Sequence, residues 1–212
     1  MWYEIQKRII DLIGGIILLI IFSPIMLVTA IVVKFTSEGP VFADIPKRVG
    51  KNGKLFRLYK FRSMFVNAHS LMKTDPRFKK LYQEYKKSSY KLHKDPRVTQ
   101  FGKFIRKYSI DETPQFINVI KGEMSIVGPR AYYLDELEEQ QSQYPKTKPL
   151  VKEMLSVNPG ITGFWQVTGR SEVNFDKRIE MDAYYARKRS ILLDILILLK
   201  TPWAMISGKG AV

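Results

Sequence analysis

Cysteine is absent from the 212 residues, and histidine is confined to two isolated positions, His69 and His93. The first absence excludes a disulfide framework, a thiolate metal site and a cysteine nucleophile. The second leaves too little imidazole for a histidine-ligated metal or a histidine-based triad. Acidic residues are scarce beside basic ones, 20 against 35, so the net charge is +15 and the pI about 9.8. That balance favours anionic partners: nucleic acid, an acidic membrane or phosphorylated substrates. Catalysis, if present, must run on carboxylates, hydroxyls and basic side chains. A hydrophobic fraction of 45% with 12% aromatics still supplies a real core.

Leu12 to Val33 is a run of 22 residues without a charged side chain, about 33 Å long as a straight helix and therefore long enough to cross hydrocarbon. It is longer than the apolar region of a signal peptide, and no small-x-small cleavage site closes it before Lys34. Pro24 lacks an N–H, so a helix through it must bend, and Ser23 can bond a freed carbonyl; the pair reads as a hinge. Lys7 and Arg8 precede the run, and Lys34, Lys47, Arg48 and Lys51 follow it. Both ends therefore prefer the cytoplasmic face, which predicts a re-entrant hairpin, with a kinked single crossing as its rival.

No internal repeat or low-complexity tract appears after residue 34, so one compact domain is expected there. Residues 51–54 (KNGK) carry an Asn-Gly hairpin signal between two strand-like stretches, 41–50 and 55–64. Asn67 to Lys94 reads as one or two amphipathic helices. Ile191 to Ile206 is apolar but carries Asp194, Lys200 and Trp203, which suits a segment lying at a membrane interface or a buried core helix.

The chemistry concentrates in three places. Arg48 to Arg62 holds six basic residues and no acid; interleaved with Phe56, Tyr59 and Phe61 it could also grip single-stranded nucleic acid. Arg106 to Gly122 places Asp111 and Glu112 at the start of a helix, capped either by Thr113 with Pro114 or by a Ser109–Glu112 capping box, and stopped by Gly122. Such acids commonly do no more than complement the helix dipole. The alternative is a phosphate site aided by Arg106, with one carboxylate as nucleophile and the other on a hard ion such as Mg²⁺. Arg130 follows a Gly-Pro turn that suits a guanidinium aimed at phosphate, and residues 158–163 (NPGITG) with Phe164 and Trp165 can shape a pocket.

Taken in order, the apolar segment with Ser23 and Pro24, RVGKNGK, YKFRSM, DPRVTQFGKFIRK, SIDETPQFINVIKGEMSIVGPRA, NPGITGFWQVTGR, MDAYY and LLDILILLKT resemble the bacterial sugar transferases, the small monotopic phosphoglycosyl transferases. The likeness covers nearly the whole chain and looks like the minimal form of that family. It departs at residues 44–47 (DIPK), where the family often has a Gln, and in the length of 65–97.

The resemblance implies transfer of a phosphosugar from a UDP-sugar to polyprenyl (undecaprenyl) phosphate, giving polyprenyl diphosphate-sugar and UMP, at the start of a glycan or exopolysaccharide pathway. It implies Asp111 as covalent nucleophile and Glu112 as the Mg²⁺ ligand. Lys60, Arg62, Arg106 and Arg130 are implied around the phosphates, and Lys7 and Arg8 at headgroups or the lipid phosphate. The fold expected is mixed α/β and mostly helical: a re-entrant helix-break-helix over 1–36, then a cytoplasmic domain over 37–212 with interfacial amphipathic helices and a small β-hairpin. The expected location is the cytoplasmic face of the bacterial inner membrane. The partners are the UDP-sugar, polyprenyl phosphate and membrane lipids, with no nucleic acid and with a homodimer allowed. The competing reading is a membrane-anchored basic module that binds anionic lipid or nucleic acid.

Overall fold

The computed structural model describes residues 2–87, 92, 94–168 and 173–206. His93, Gly169 and Arg170, named above, lie outside the described residues. The chain is mostly helical, with two small sheets. In order it runs α1 (Trp2–Thr36), β1 (Arg48–Val49), β2 (Leu55–Phe56), α2 (Ala68–Thr74), α3 (Lys79–Lys87), α4 (Gln100–Lys107) and α5 (Gln115–Lys121). It continues through β3 (Ser125–Val127), α6 (Leu134–Gln143), α7 (Lys148–Met154), β4 (Gly160–Thr162), α8 (Phe164–Thr168), α9 (Phe175–Lys188) and α10 (Ile191–Ile206).

The expected hairpin forms around Asn52 and Gly53, both at positive φ (55° and 79°), the geometry that makes Asn-Gly a tight-turn signal. Its strands are shorter than the sequence suggests. Pairing is interrupted between the β1–β2 end and a second patch, where Ala43 N–H donates to the Lys60 carbonyl and Arg62 N–H to the Val41 carbonyl. Pro46, which has no N–H to offer, lies in that gap. The stretch from Asn67 forms two helices, α2 and α3.

α1 is one continuous helix through Pro24, which corrects the expectation of two helices with a break. The Ser23 hydroxyl donates to the Ile20 carbonyl at 2.8 Å. That is the carbonyl which Pro24 cannot serve, so the side chain replaces the lost backbone bond and the helix continues. Only Asp11, Gly15, Thr29 and Val33 of α1 are buried, and isoleucines and leucines cover the rest of its surface. By length and composition it can cross a membrane.

α1 is nevertheless fastened along its length to the other helices. Asp11 accepts from Ser125 Oγ at 2.7 Å and from the Ile126 N–H at 2.9 Å. Phe22 packs on Phe116 with ring centroids 5.6 Å apart. Met26, Ala30 and Val33 join a cluster with Phe61 and Ile105. The largest core gathers Phe56, Leu58, Val119, Met124, Val127, Tyr185 and Ile197, so it draws on the hairpin, α5, β3, α9 and α10.

The parallel pair β3–β4 sets two loops side by side. A Cβ on Gly160 would lie 2.0 Å from the Gly128 nitrogen, and one on Gly128 2.4 Å from the Asn158 carbonyl oxygen. Only glycine permits this backbone approach, which delivers Arg130 beside the NPG turn. In α10, Ile197 is buried while Leu192, Leu199 and Trp203 are more than two-thirds exposed, so the helix contributes to the core and leaves an apolar outer face.

Candidate active site

The acidic pair sits in a short 3₁₀ turn, Ile110–Glu112, ahead of α5. Neither expected cap forms. Ser109 adopts a left-handed conformation without a side-chain cap, and the Thr113 hydroxyl donates back to the Ile110 carbonyl. The stop at Gly122 is as expected. A backbone bond places the pair: the Phe61 N–H donates to the Asp111 carbonyl at 2.9 Å, tying the turn to the second arm of the hairpin. Asn118, fully buried on α5, ties the same arm by accepting from the Tyr59 N–H and donating to the Arg57 carbonyl.

Lys60, the residue before Phe61, is thereby delivered between the two carboxylates. Its Nζ lies 2.8 Å from Asp111 Oδ2 and 3.1 Å from Glu112 Oε1. Burial opposes the charge on Lys60, but the two acids outweigh it and raise its pKa. The acids themselves divide. Burial, reinforced by Glu112, holds Asp111 above the usual carboxylate range despite Lys60. Burial also works against Glu112, but Lys60, Arg130 and Arg48 together bring it below that range.

The dyad opens on a cavity of about 670 Å³ lined by Lys60, Arg106, Asp111, Glu112 and Arg130. Arg130 Nε is buried there without a hydrogen-bond partner. Its backbone N–H donates at 3.2 Å to Asp182 of α9, a fully buried carboxylate of the MDAYY motif near Arg178.

Three expected phosphate or headgroup contacts are occupied by the protein itself. Arg62 borders the cavity, yet its guanidinium donates to the carbonyls of Ser37 and Pro40 at 2.9 and 2.6 Å and to that of Glu38, closing the segment that leaves α1. Arg8 donates at 2.7 Å to each of the Val119 and Ile120 carbonyls, at the negative end of the α5 dipole. Lys7 pairs with Asp194 of α10 at 3.1 Å and with Asp11 at 3.4 Å. These two residues fasten α1 to α5 and α10 and do not reach the dyad.

Sequence reasoning missed Arg48, His69 and Tyr85 as wall residues of the cavity. In the sequence Arg48 is one basic residue among several, Tyr85 lies within a stretch that reads as amphipathic helix, and His69 is an isolated histidine.

A profile of the bacterial sugar transferases matches residues 2–208. The chain belongs to the bacterial sugar transferase family. An undecaprenyl-phosphate galactose phosphotransferase of Salmonella typhimurium is 40% identical over 97% of this chain and 41% of its own length. An Aeromonas hydrophila protein named UDP-N-acetylgalactosamine-undecaprenyl-phosphate N-acetylgalactosaminephosphotransferase is 38% identical over 99% of this chain and 45% of its own. The exopolysaccharide production protein ExoY of Sinorhizobium fredii is 38% identical over 98% of this chain and 88% of its own. The chain thus spans less than half of the first two relatives and most of the third. These transferase names give the nucleic-acid alternative no support.

Burial pushes Asp182 up to about 7 from an ordinary 3.8, against the Arg130 N–H and the Arg178 and Arg130 charges. A folded-state pKa above the unfolded one gives stability that is complete below pH about 4 and lost as pH rises to about 7. Asp182→Asn carries no charge to bury, so it should gain on the wild type across that window, approaching about 4 kcal/mol above pH 7. Thermal unfolding of both proteins from pH 4 to 8 checks this; a constant difference in Tm would refute it.

Proposed function

We propose that this protein transfers a phosphosugar from a UDP-sugar to undecaprenyl phosphate through a covalent intermediate on Asp111, releasing UMP. The observation that carries the reading is the partly buried Lys60 shared by Asp111 and Glu112 at the wall of a cationic cavity. The names of the Salmonella and Aeromonas relatives supply the substrate class.

In the first half-reaction the Asp111 carboxylate attacks the phosphorus that bears the sugar. The bond from that phosphorus to the oxygen bridging the two phosphates breaks, and UMP leaves with the electron pair. In the second, an oxygen of the lipid phosphate attacks the same phosphorus and the acyl-phosphate bond breaks, restoring the carboxylate. A covalent step splits a difficult transfer between two anions into two easier ones. Lys60 favours the ionised form of the buried nucleophile. Arg130 and Arg106 stand in the same wall, where cations offset phosphate charge.

The donor set suits Mg²⁺. Among the described residues no cluster of three or more His, Cys, Asp or Glu could hold a metal by itself. Mg²⁺ commonly takes one or two carboxylates and completes its shell with substrate phosphates and water, which makes Glu112 the residue to hold it. Bound there, the ion would neutralise phosphate charge.

The same reading makes α1 a re-entrant membrane element on the cytoplasmic face. A helix crossing to the far side would carry one end away from the domain. Asp11 near one end and Val33 near the other instead both pack on the one body. The nucleotide sugar stays in water and the polyprenyl chain in lipid, so a site at headgroup depth reaches both.

UMP release from a panel of UDP-sugars, with Mg²⁺ and undecaprenyl phosphate in detergent, tests the chemistry. Asp111→Asn should lower turnover at least about a thousand-fold and Glu112→Gln about a hundred-fold, with Tm changed by only a few degrees. Undiminished release by Asp111→Asn would overturn the mechanism. Because the chain has no native cysteine, Trp2→Cys and Glu38→Cys can report topology. Both should react with an impermeant thiol reagent only from the cytoplasmic side, and labelling of residue 2 from outside alone would refute the re-entrant placement of α1.

A further inference from the structure

Two chemically different groups of residues line the cavity. One is apolar: Leu18 and Phe22 of α1 and Leu198 and Pro202 of α10, the two helices with exposed hydrophobic faces. The other is polar and aromatic: Arg48, His69 of α2, Tyr85 of α3 and Tyr133. Given the transfer proposed above, the first group forms the acceptor end and the second the donor end.

Within the donor end the cations and the uncharged groups have separate tasks. The Arg48 guanidinium lies 3.3 Å from the centre of the Tyr133 ring, and the His69 ring packs on the same tyrosine with centroids 5.0 Å apart. Arg48 is close enough to act on both Glu112 and His69, lowering the pKa of each, so it links the dyad to the histidine. Phosphates call for the cations: Lys60, Arg130 and Arg48. His69 is of the other kind. Its burial, with Lys73 nearby, pushes the imidazole down to about 4, so it is neutral at physiological pH, with one donor and one acceptor nitrogen.

His69 lines the cavity, and its Nε2 has no hydrogen-bond partner and almost no water-accessible surface, so it meets a ligand atom once the ring turns toward the cavity. Buried polar atoms in folded proteins are nearly always partnered, so an orphan on a cavity wall asks for a ligand atom. A neutral imidazole nitrogen matches an uncharged group that both donates and accepts, which on a nucleotide sugar is a hydroxyl. The segment that carries His69, residues 65–97, also supplies Asn67, Tyr85 and Arg97 to the wall.

Resting on that transferase reading, we infer that His69 is a specificity-determining residue: its Nε2 hydrogen-bonds a hydroxyl of the donor hexose, and α2–α3 form the wall that tells one UDP-hexose from another.

The test measures kcat/KM for UDP-glucose, UDP-galactose and UDP-N-acetylgalactosamine, with undecaprenyl phosphate, for the full chain and for His69→Phe and His69→Gln. Phenylalanine keeps the ring on Tyr133 and removes both nitrogens, while glutamine restores a neutral donor and acceptor. The expected result is that His69→Phe loses about ten- to a hundred-fold on the preferred donor and much less on the others, so the preference collapses at least about tenfold. His69→Gln should recover part of it, and inhibition by UMP should stay within about twofold of wild type. An equal loss on all three donors would place His69 against the shared uridine diphosphate and overturn the inference, as would no loss. If His69→Phe fails to fold, the donor preference of His69→Gln decides, and an unchanged preference overturns it. A wild-type chain that releases UMP from no donor would instead strike down the transferase reading, and this inference with it.

Discussion

One partly buried lysine holds this site together. Lys60 sits between two adjacent carboxylates, and without it Asp111 and Glu112 would face each other in a poorly solvated wall. Removing the lysine would leave buried Asp111 beside Glu112 without its cation, whereas removing either acid leaves Lys60 the other. The rest of the local structure keeps that contact in register. The Phe61 to Asp111 backbone bond fixes hairpin to turn, Asn118 stitches the same arm to α5, and the glycine contact between the two loops brings Arg130 to the other side. The same contacts set the two carboxylates and the cations Lys60, Arg106 and Arg130 in the wall of one cavity.

A second constraint concerns the apolar helix. Three of its charged groups turn toward the protein: Asp11 to β3, Lys7 to α10 and Arg8 to the end of α5. The Ser23 hydroxyl serves the one carbonyl that Pro24 leaves bare. An apolar surface remains on the outside, suited to lipid, with polar groups satisfied within. The exposed side of α10, ending in Trp203, adds a second apolar surface.

What the sequence made legible was local. The Asn-Gly turn, the Gly122 stop and the helices after Asn67 depend on nearest neighbours; the first two are found where the pattern put them, and the helices fill 68–74 and 79–87 of the expected 67–94, of which 88–91 and 93 lie outside the described residues. The dyad was legible as chemistry because two acids beside a helix start, in a chain without cysteine and nearly without histidine, leave few other reactive groups. What the sequence did not show is where basic side chains find partners far along the chain. Arg62 reaches 22 to 25 positions back to three carbonyls, and Arg8 reaches more than a hundred positions forward to two. Charge alone says that such a residue seeks negative potential, and a backbone carbonyl satisfies it as well as a phosphate. Arg48 and His69 were missed for the converse reason, since folding alone brings them to the cavity wall.

The central claim is that Asp111 carries the phosphosugar between donor and acceptor. Intact-protein mass spectrometry after incubation with the UDP-sugar and Mg²⁺, without lipid acceptor, addresses it directly. The account predicts a mass gain of one sugar phosphate, mapped to Asp111, discharged by undecaprenyl phosphate and absent in Asp111→Asn. Turnover in the complete mixture with no adduct on Asp111 under rapid quench, or an adduct that persists in Asp111→Asn, would contradict it.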